Sequence, residues 1–98
     1  MLVTIAKKGN HLQPNLEDAI AWYQESEFTR AYEIFYPLAT YERNAEAQYY
    51  LGMMYFEGEG VEKDIAQAQQ LWKKAARSRH RDAAYRLSEI VTSTKTMF

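Results

Sequence analysis

The chain has 98 residues, of which 47% are hydrophobic, so it is long enough for one small domain with a modest core. It contains no Cys, which excludes disulfides and thiolate metal sites. The apolar start is followed at once by Lys7 and Lys8, and no run approaches membrane-spanning length, so we expect a soluble cytoplasmic protein without membrane contact.

Charge is distributed unevenly, although the net charge is only −1. Residues 15–64 carry eleven acids against three bases, whereas residues 65–98 carry seven bases against two acids. This asymmetry indicates either head-to-tail stacking of chains or a polar partner, and it specifies neither.

The first half of the chain predicts two helices behind a flexible leader, residues 1–14, which shows no helical period. Asn15 is a favourable N-cap for a helix to about Ser26, and Ser26 is expected to cap the second helix. Pro37 lies inside that helix, where we expect a kink near Glu33 because the apolar spacing continues through it. The apolar faces comprise Leu16, Ala19, Ile20 and Tyr23 in the first helix, and Ala31, Phe35, Leu38 and Ala39 in the second.

A third helix is predicted from Asn44, as its N-cap, to about Glu57. Gly58 follows as the left-handed residue that ends it. A fourth helix starts at Asp64, which with Gln67 resembles a capping box, and runs to about residue 77.

A fifth helix is predicted from about Asp82 to Thr92, and residues 93–98 are expected to form a tail. We therefore predict a single helical domain at residues 15–92. The apolar pattern of the third helix recurs in the fifth after 36 positions, which indicates stacked helix hairpins. The recurring pairs are Ala47 with Ala83, Tyr49 with Tyr85, and Leu51 with Leu87.

One stretch carries a motif that resembles a Sel-one-like repeat, a relative of the tetratricopeptide repeat. The motif residues are Ala47, Leu51, Gly52, Tyr55, Gly58, Gly60, Val61, Asp64, Ala68, Trp72, Ala75 and Ala76. The segments 83–90 and 31–39 resemble halves of the neighbouring repeats. The resemblance implies an all-α fold of antiparallel helix pairs in a short right-handed superhelix, and an adaptor function without cofactor or catalysis.

The chain departs from the family in its turns. Arg43 and Arg79 stand where the family usually has Gly between repeats, and Ser88 replaces the Gly that follows the motif leucine. Independently of the family, Gly52 would let two helices approach closely, while bulky residues such as Trp72 would fill the space between successive hairpins.

A binding face is predicted on the first helix of each hairpin, away from the apolar core positions. The residues are Glu46, Tyr49, Met53 and Phe56 in the third helix, and Asp82, Tyr85 and Glu89 in the fifth. Because exposed aromatic and Met side chains are typical of protein-binding surfaces, we expect these to bind a peptide or a helix of a partner protein. The alternative is that Tyr49 and Phe56 only pack against neighbouring helices. A second functional alternative is a structural module that self-associates through its charged ends.

The sequence gives little support for a nucleic-acid, metal or catalytic site. The basic run at residues 73–81 could contact phosphates, but a solvated helix end is the favoured interpretation and we expect no nucleic acid partner. The acidic loop at residues 57–64 does not have the spacing of an EF-hand, so no metal is expected. The only histidines are His11 and His80, with no nucleophile motif or phosphate-binding glycine loop, so we expect no enzyme.

Overall fold

The computed structural model describes the backbone of residues 14–95 and the side chains of residues 14–90. This part of the chain contains five helices and no strand, which confirms the predicted all-α class. The helices are α1 (Leu16–Gln24), α2 (Phe28–Thr40), α3 (Ala45–Glu57), α4 (Ile65–Arg77) and α5 (Arg81–Lys95). The predicted leader, apart from residue 14, and residues 96–98 of the predicted tail lie outside the described residues. Residues 93–95 of that tail belong to α5, which extends beyond its predicted end.

Each helix packs against the next one along the chain. The connections are short, at residues 25–27, 41–44, 58–64 and 78–80, so consecutive helices run antiparallel. The result is one hairpin of α1 and α2, a second of α3 and α4, and α5 packed on the second. The helix α2 continues through Pro37.

Three of the helices begin with a side-chain cap that the sequence predicts. The Asn44 side chain accepts from the Ala47 backbone N–H at 2.8 Å, and the Asp64 side chain accepts from the Gln67 backbone N–H at 3.1 Å. A complete capping box forms at the start of α1, where the side chains of Asn15 and Asp18 each accept the other's backbone N–H. These bonds satisfy N–H groups that have no partner within the helix.

Left-handed residues end the helices. Gly58 has φ of 73° and ends α3, as predicted. Ser26, Arg43 and Arg79 adopt the same region, with φ of 62°, 54° and 67°. The prediction that Ser26 caps α2 is therefore wrong. The N–H groups of Ser26 and Glu27 donate to carbonyls in the last turn of α1, which places Ser26 in a helix-ending turn. Glu27 is the N-cap of α2 and makes no side-chain capping bond.

The first core cluster joins α1, α2 and α3 through aromatic rings. The rings of Phe35 and Tyr50 stack with centroids 5.1 Å apart, and Tyr23 meets Tyr50 edge-on at 5.2 Å. The buried residues of this cluster are Ala19, Ala31, Phe35, Ala39, Ala47, Leu51, Met54 and Leu71.

The second core cluster joins α3, α4 and α5 around Trp72, which is only 1% exposed. Its indole lies against Gly52, where an added Cβ would be 2.4 Å from Nε1. The indole N–H also donates to the Tyr49 carbonyl at 3.1 Å. The small residue at position 52 therefore admits the ring that joins α3 to α4. The buried residues of this cluster are Ala68, Trp72, Ala75 and Ala83; Tyr55 and Leu87 pack against them, while Ala76 is half-buried.

The loop at residues 58–64 packs back onto the first hairpin. Gly60 has φ of 76°, and an added Cβ there would lie 2.8 Å from Phe28 Cβ. The Tyr23 hydroxyl donates to Glu59 Oε1 at 2.9 Å. Burial of the ring, followed by this hydrogen bond, raises the pKa of Tyr23 above its ordinary value. The glycine loop thus connects the second hairpin to the first.

Candidate functional site

The predicted binding residues of α3 face α4 and α5. Tyr49, Met53 and Phe56 are half-buried and pack against the second core cluster. Phe56 lies near Trp72, with ring centroids 5.5 Å apart. The packing alternative therefore holds in part for Tyr49 and Phe56, because each contributes to the core and keeps part of its surface accessible.

Tyr49 joins α3 to α5. Its ring stacks on the His80 imidazole at a centroid distance of 4.8 Å and an angle of 23°. A side-chain hydrogen bond with Tyr49 raises the pKa of Arg86, so this guanidinium stays charged beside the ring. Removing the Tyr49 ring would thus disturb the junction of the two helices as well as their shared surface.

Glu46 is also held in place by His80. The side chains meet at 2.6 Å between His80 Nε2 and Glu46 Oε1, and the Ala83 backbone N–H donates to His80 Nδ1 at 3.1 Å. Because Nδ1 accepts this hydrogen bond, the imidazole carries its proton on Nε2, which donates to Glu46. His80 is therefore a structural N-cap of α5. Sequence reasoning placed it only in a charged turn.

The predicted residues of α5 are the most accessible part of the site. Tyr85 is 63% exposed, and Asp82 and Glu89 are also exposed. Arg86 Nη1 lies 3.8 Å from Glu89 Oε1, so this carboxylate lies beside the cation that holds Tyr49. Because the ion pair is partly solvated, it contributes little to stability and leaves Glu89 available to a partner.

The structure joins Glu46 and Tyr49 to α5 through His80 and Arg86, and we call the predicted residues of the two helices the α3–α5 face. It consists of Glu46, Tyr49, Met53, Phe56, Asp82, Tyr85 and Glu89, with Arg86 added. Half-buried aromatic and thioether groups lie along α3, while exposed Tyr85 and two carboxylates lie along α5. Such a surface offers apolar contact area bordered by charges of both signs, which suits a polypeptide ligand.

The described residues contain no group of three or more His, Asp or Glu side chains placed to hold a metal ion. In the same part of the chain, no helix has the length and apolarity needed to cross a bilayer.

Comparison with protein-family models matches the Sel1 repeat at residues 7–26 and 45–80, which is more than half of the chain. The second match spans α3, the glycine loop and α4, and the first includes α1. Comparisons with curated proteins and with solved structures give no match. Sel1 repeats are generally protein–protein interaction modules and are typically non-enzymatic. With the motif residues Leu51, Gly52 and Trp72 buried where the helices pack, the chain belongs to the Sel1 repeat family.

Proposed function

We propose that the protein is an adaptor that binds an extended peptide or a helix of a partner protein on the α3–α5 face. The family supports the interaction class, and the accessible side chains of the face support the location. The observation that carries the proposal is the accessible aromatic and thioether surface, which comprises half-buried Tyr49, Met53 and Phe56 on α3 and Tyr85, which is 63% exposed, on α5. Large apolar side chains that remain accessible gain contact area when a partner covers them.

Charges around the apolar strip would set the orientation of the partner. Asp82 and Glu89 are exposed on α5, whereas Glu46 is engaged by His80 and Arg86 is engaged by Tyr49. The exposed carboxylates of Asp82 and of Glu89, whose ion pair with Arg86 is partly solvated, favour a partner segment with Lys or Arg next to its apolar residues. Such rim charges contribute mainly to the association rate and to selection among partners.

Self-association is the second candidate function. It is favoured by the accessible side of α5, where Ala84 and Ser88 are exposed. The corresponding residues of α3, which are Gln48 and Gly52, are buried. A helix from a second copy could cover Ala84 and Ser88 as α4 covers Gly52.

The test uses peptides selected from a displayed library against the intact protein. Binding of the selected peptides is then measured for Met53→Ser with Tyr85→Ser, and for the control Tyr41→Ser. Tyr41 is 75% exposed and lies beyond α2, outside the α3–α5 face. We expect the double variant to lose binding by at least about tenfold while retaining its helical circular dichroism, and the control to bind normally. Equal binding by all three proteins would refute the proposal, and concentration-dependent dimers without peptide binding would favour self-association.

A further inference from the structure

A concave surface lies outside the α3–α5 face, at the C-terminal ends of α2 and α4. Its volume is about 340 Å³. We call it the basic cleft, and its lining residues are Ala39, Thr40, Arg43, Gln48, Lys74, Arg77 and Ser78. Only Lys74, Arg77 and Ser78 come from the basic run of the sequence. Arg43 comes from the preceding hairpin and was noted in the sequence only for its turn.

The three cations of the basic cleft have no carboxylate partner. Ion pairs among residues 14–90 involve Arg30, His80 and Arg86, and none involves Arg43, Lys74 or Arg77. Three like charges around one concavity repel one another, so a bound anion would be stabilised by all of them at once. The hydroxyl groups of Thr40 and Ser78 add neutral hydrogen-bond donors to the same lining.

The helix dipole accounts for part of this arrangement. Lys74 and Arg77 lie in the last turn of α4, where a cation is favourable even without a ligand. The dipole does not require a cation from another hairpin to line the same cleft, as Arg43 does.

We propose that the basic cleft binds the carboxylate side chains of an acidic segment in a partner protein. Guanidinium groups match a carboxylate with two parallel hydrogen bonds, and the cleft presents two of them with one ammonium group. Its volume is near the lower end of ligand pockets, about 300–1,000 Å³, which suits one or two side chains.

A nucleic acid fits the surroundings of the cleft poorly. Residues 15–64 carry a large excess of acids, and the cations converge on one concavity instead of forming a long stripe for a phosphate backbone.

The experiment measures fluorescence anisotropy of a labelled hexaglutamate peptide at low and at moderate salt. Arg43→Gly is compared with Arg79→Gly, because both remove one charge from a left-handed turn and only Arg43 lines the cleft. The double variant Lys74→Gln/Arg77→Gln is compared with the double variant Lys73→Gln/Arg81→Gln. The second double variant changes the net charge by the same amount, but at exposed positions that do not line the cleft. We expect the cleft variants to weaken binding by at least about tenfold and the controls by no more than about twofold.

Equal losses in the cleft variants and their controls would show attraction to the whole basic region and would overturn the proposal, as would no binding by the intact protein. Tighter binding of an oligothymidylate of equal charge would overturn the choice of carboxylate. Sedimentation velocity tests whether a second copy of the chain occupies the cleft. The cleft would be assigned to the acidic loop of a second copy if the protein self-associates at low salt, Lys74→Glu abolishes this association and the added change Glu62→Lys restores it. Absence of self-association would support a separate partner.

Discussion

The contact between Gly52 and Trp72 can be tested by adding one methyl group. In Gly52→Ala, the new Cβ would lie 2.4 Å from the indole Nε1 and 2.7 Å from Cδ1. Both distances are shorter than real Cβ contacts, and the obstructing atoms belong to a rigid ring that is 1% exposed. The ring must therefore move, and it would give up its 3.1 Å hydrogen bond to the Tyr49 carbonyl.

The expected cost has three parts. Overpacking in a dense core destabilises by about 1–3 kcal/mol. Loss of the indole hydrogen bond adds about 0.5–1.5 kcal/mol. Replacing Gly by Ala within a helix returns about 1 kcal/mol of helix propensity. The free energy of unfolding should thus fall by about 2 kcal/mol, which corresponds to a Tm lower by roughly 8–16 °C for a domain of this size.

The assay is thermal and urea unfolding followed by circular dichroism and by Trp fluorescence. The matched control is Ser88→Ala, at the corresponding position of α5, where the side chain is exposed and no ring covers it. We expect the control to change the Tm by no more than about 2 °C. An unchanged or higher Tm for Gly52→Ala would refute the reasoning. Without a steric conflict with Trp72, Ala would stabilise α3 relative to Gly through its higher helix propensity.

Three further predictions concern one turn, one helix cap and one tyrosine. Arg79→Gly should raise the free energy of unfolding by about 0.5–1 kcal/mol, because Arg79 holds φ of 67°, and a lower urea midpoint would contradict this. His80→Ala should lower the free energy of unfolding by about 1 kcal/mol, because the N-cap of α5 is lost. Thermal melts would compare it with the control Arg81→Ala, and equal effects of the two changes would refute the capping role. Burial and the hydrogen bond to Tyr55 raise the pKa of Tyr32 to about 12 from 10.0, so stability present below pH 10 should decline as the pH rises toward 12. Melts across this range should show a shallower decline for Tyr32→Phe, and an identical decline would count against the burial of this phenol.

Local signals predicted most of the helix boundaries. Asn44, Gly58 and Asp64 act as the sequence predicts because capping and left-handed termination depend on a few neighbouring residues. The recurrence after 36 positions predicted the stacking, because small and apolar residues return to the same helical face. Ser26 was assigned wrongly because Ser suits an N-cap as well as a turn, and here the end of α1 determines its conformation.

The features that the sequence did not reveal depend on contacts between hairpins. Glu46 and His80 are separated by 34 positions, and their bond exists only because α3 and the start of α5 lie side by side. Arg43 joins Lys74 and Arg77 in the basic cleft for the same kind of reason. Counting charges along the chain could not identify these three cations as one group, since Arg43 lies in the acidic half and Lys74 and Arg77 lie in the basic half.

The most direct measurement of the central claim is photo-crosslinking from the α3–α5 face. A photoreactive phenylalanine derivative is placed at Tyr85 or, as the control, at Tyr41; both side chains are exposed, but only Tyr85 belongs to the face. The variants are irradiated with a peptide that binds the intact protein. Adaptor binding on the α3–α5 face predicts a crosslinked product from position 85 and none from position 41. A product from position 41 alone would contradict it.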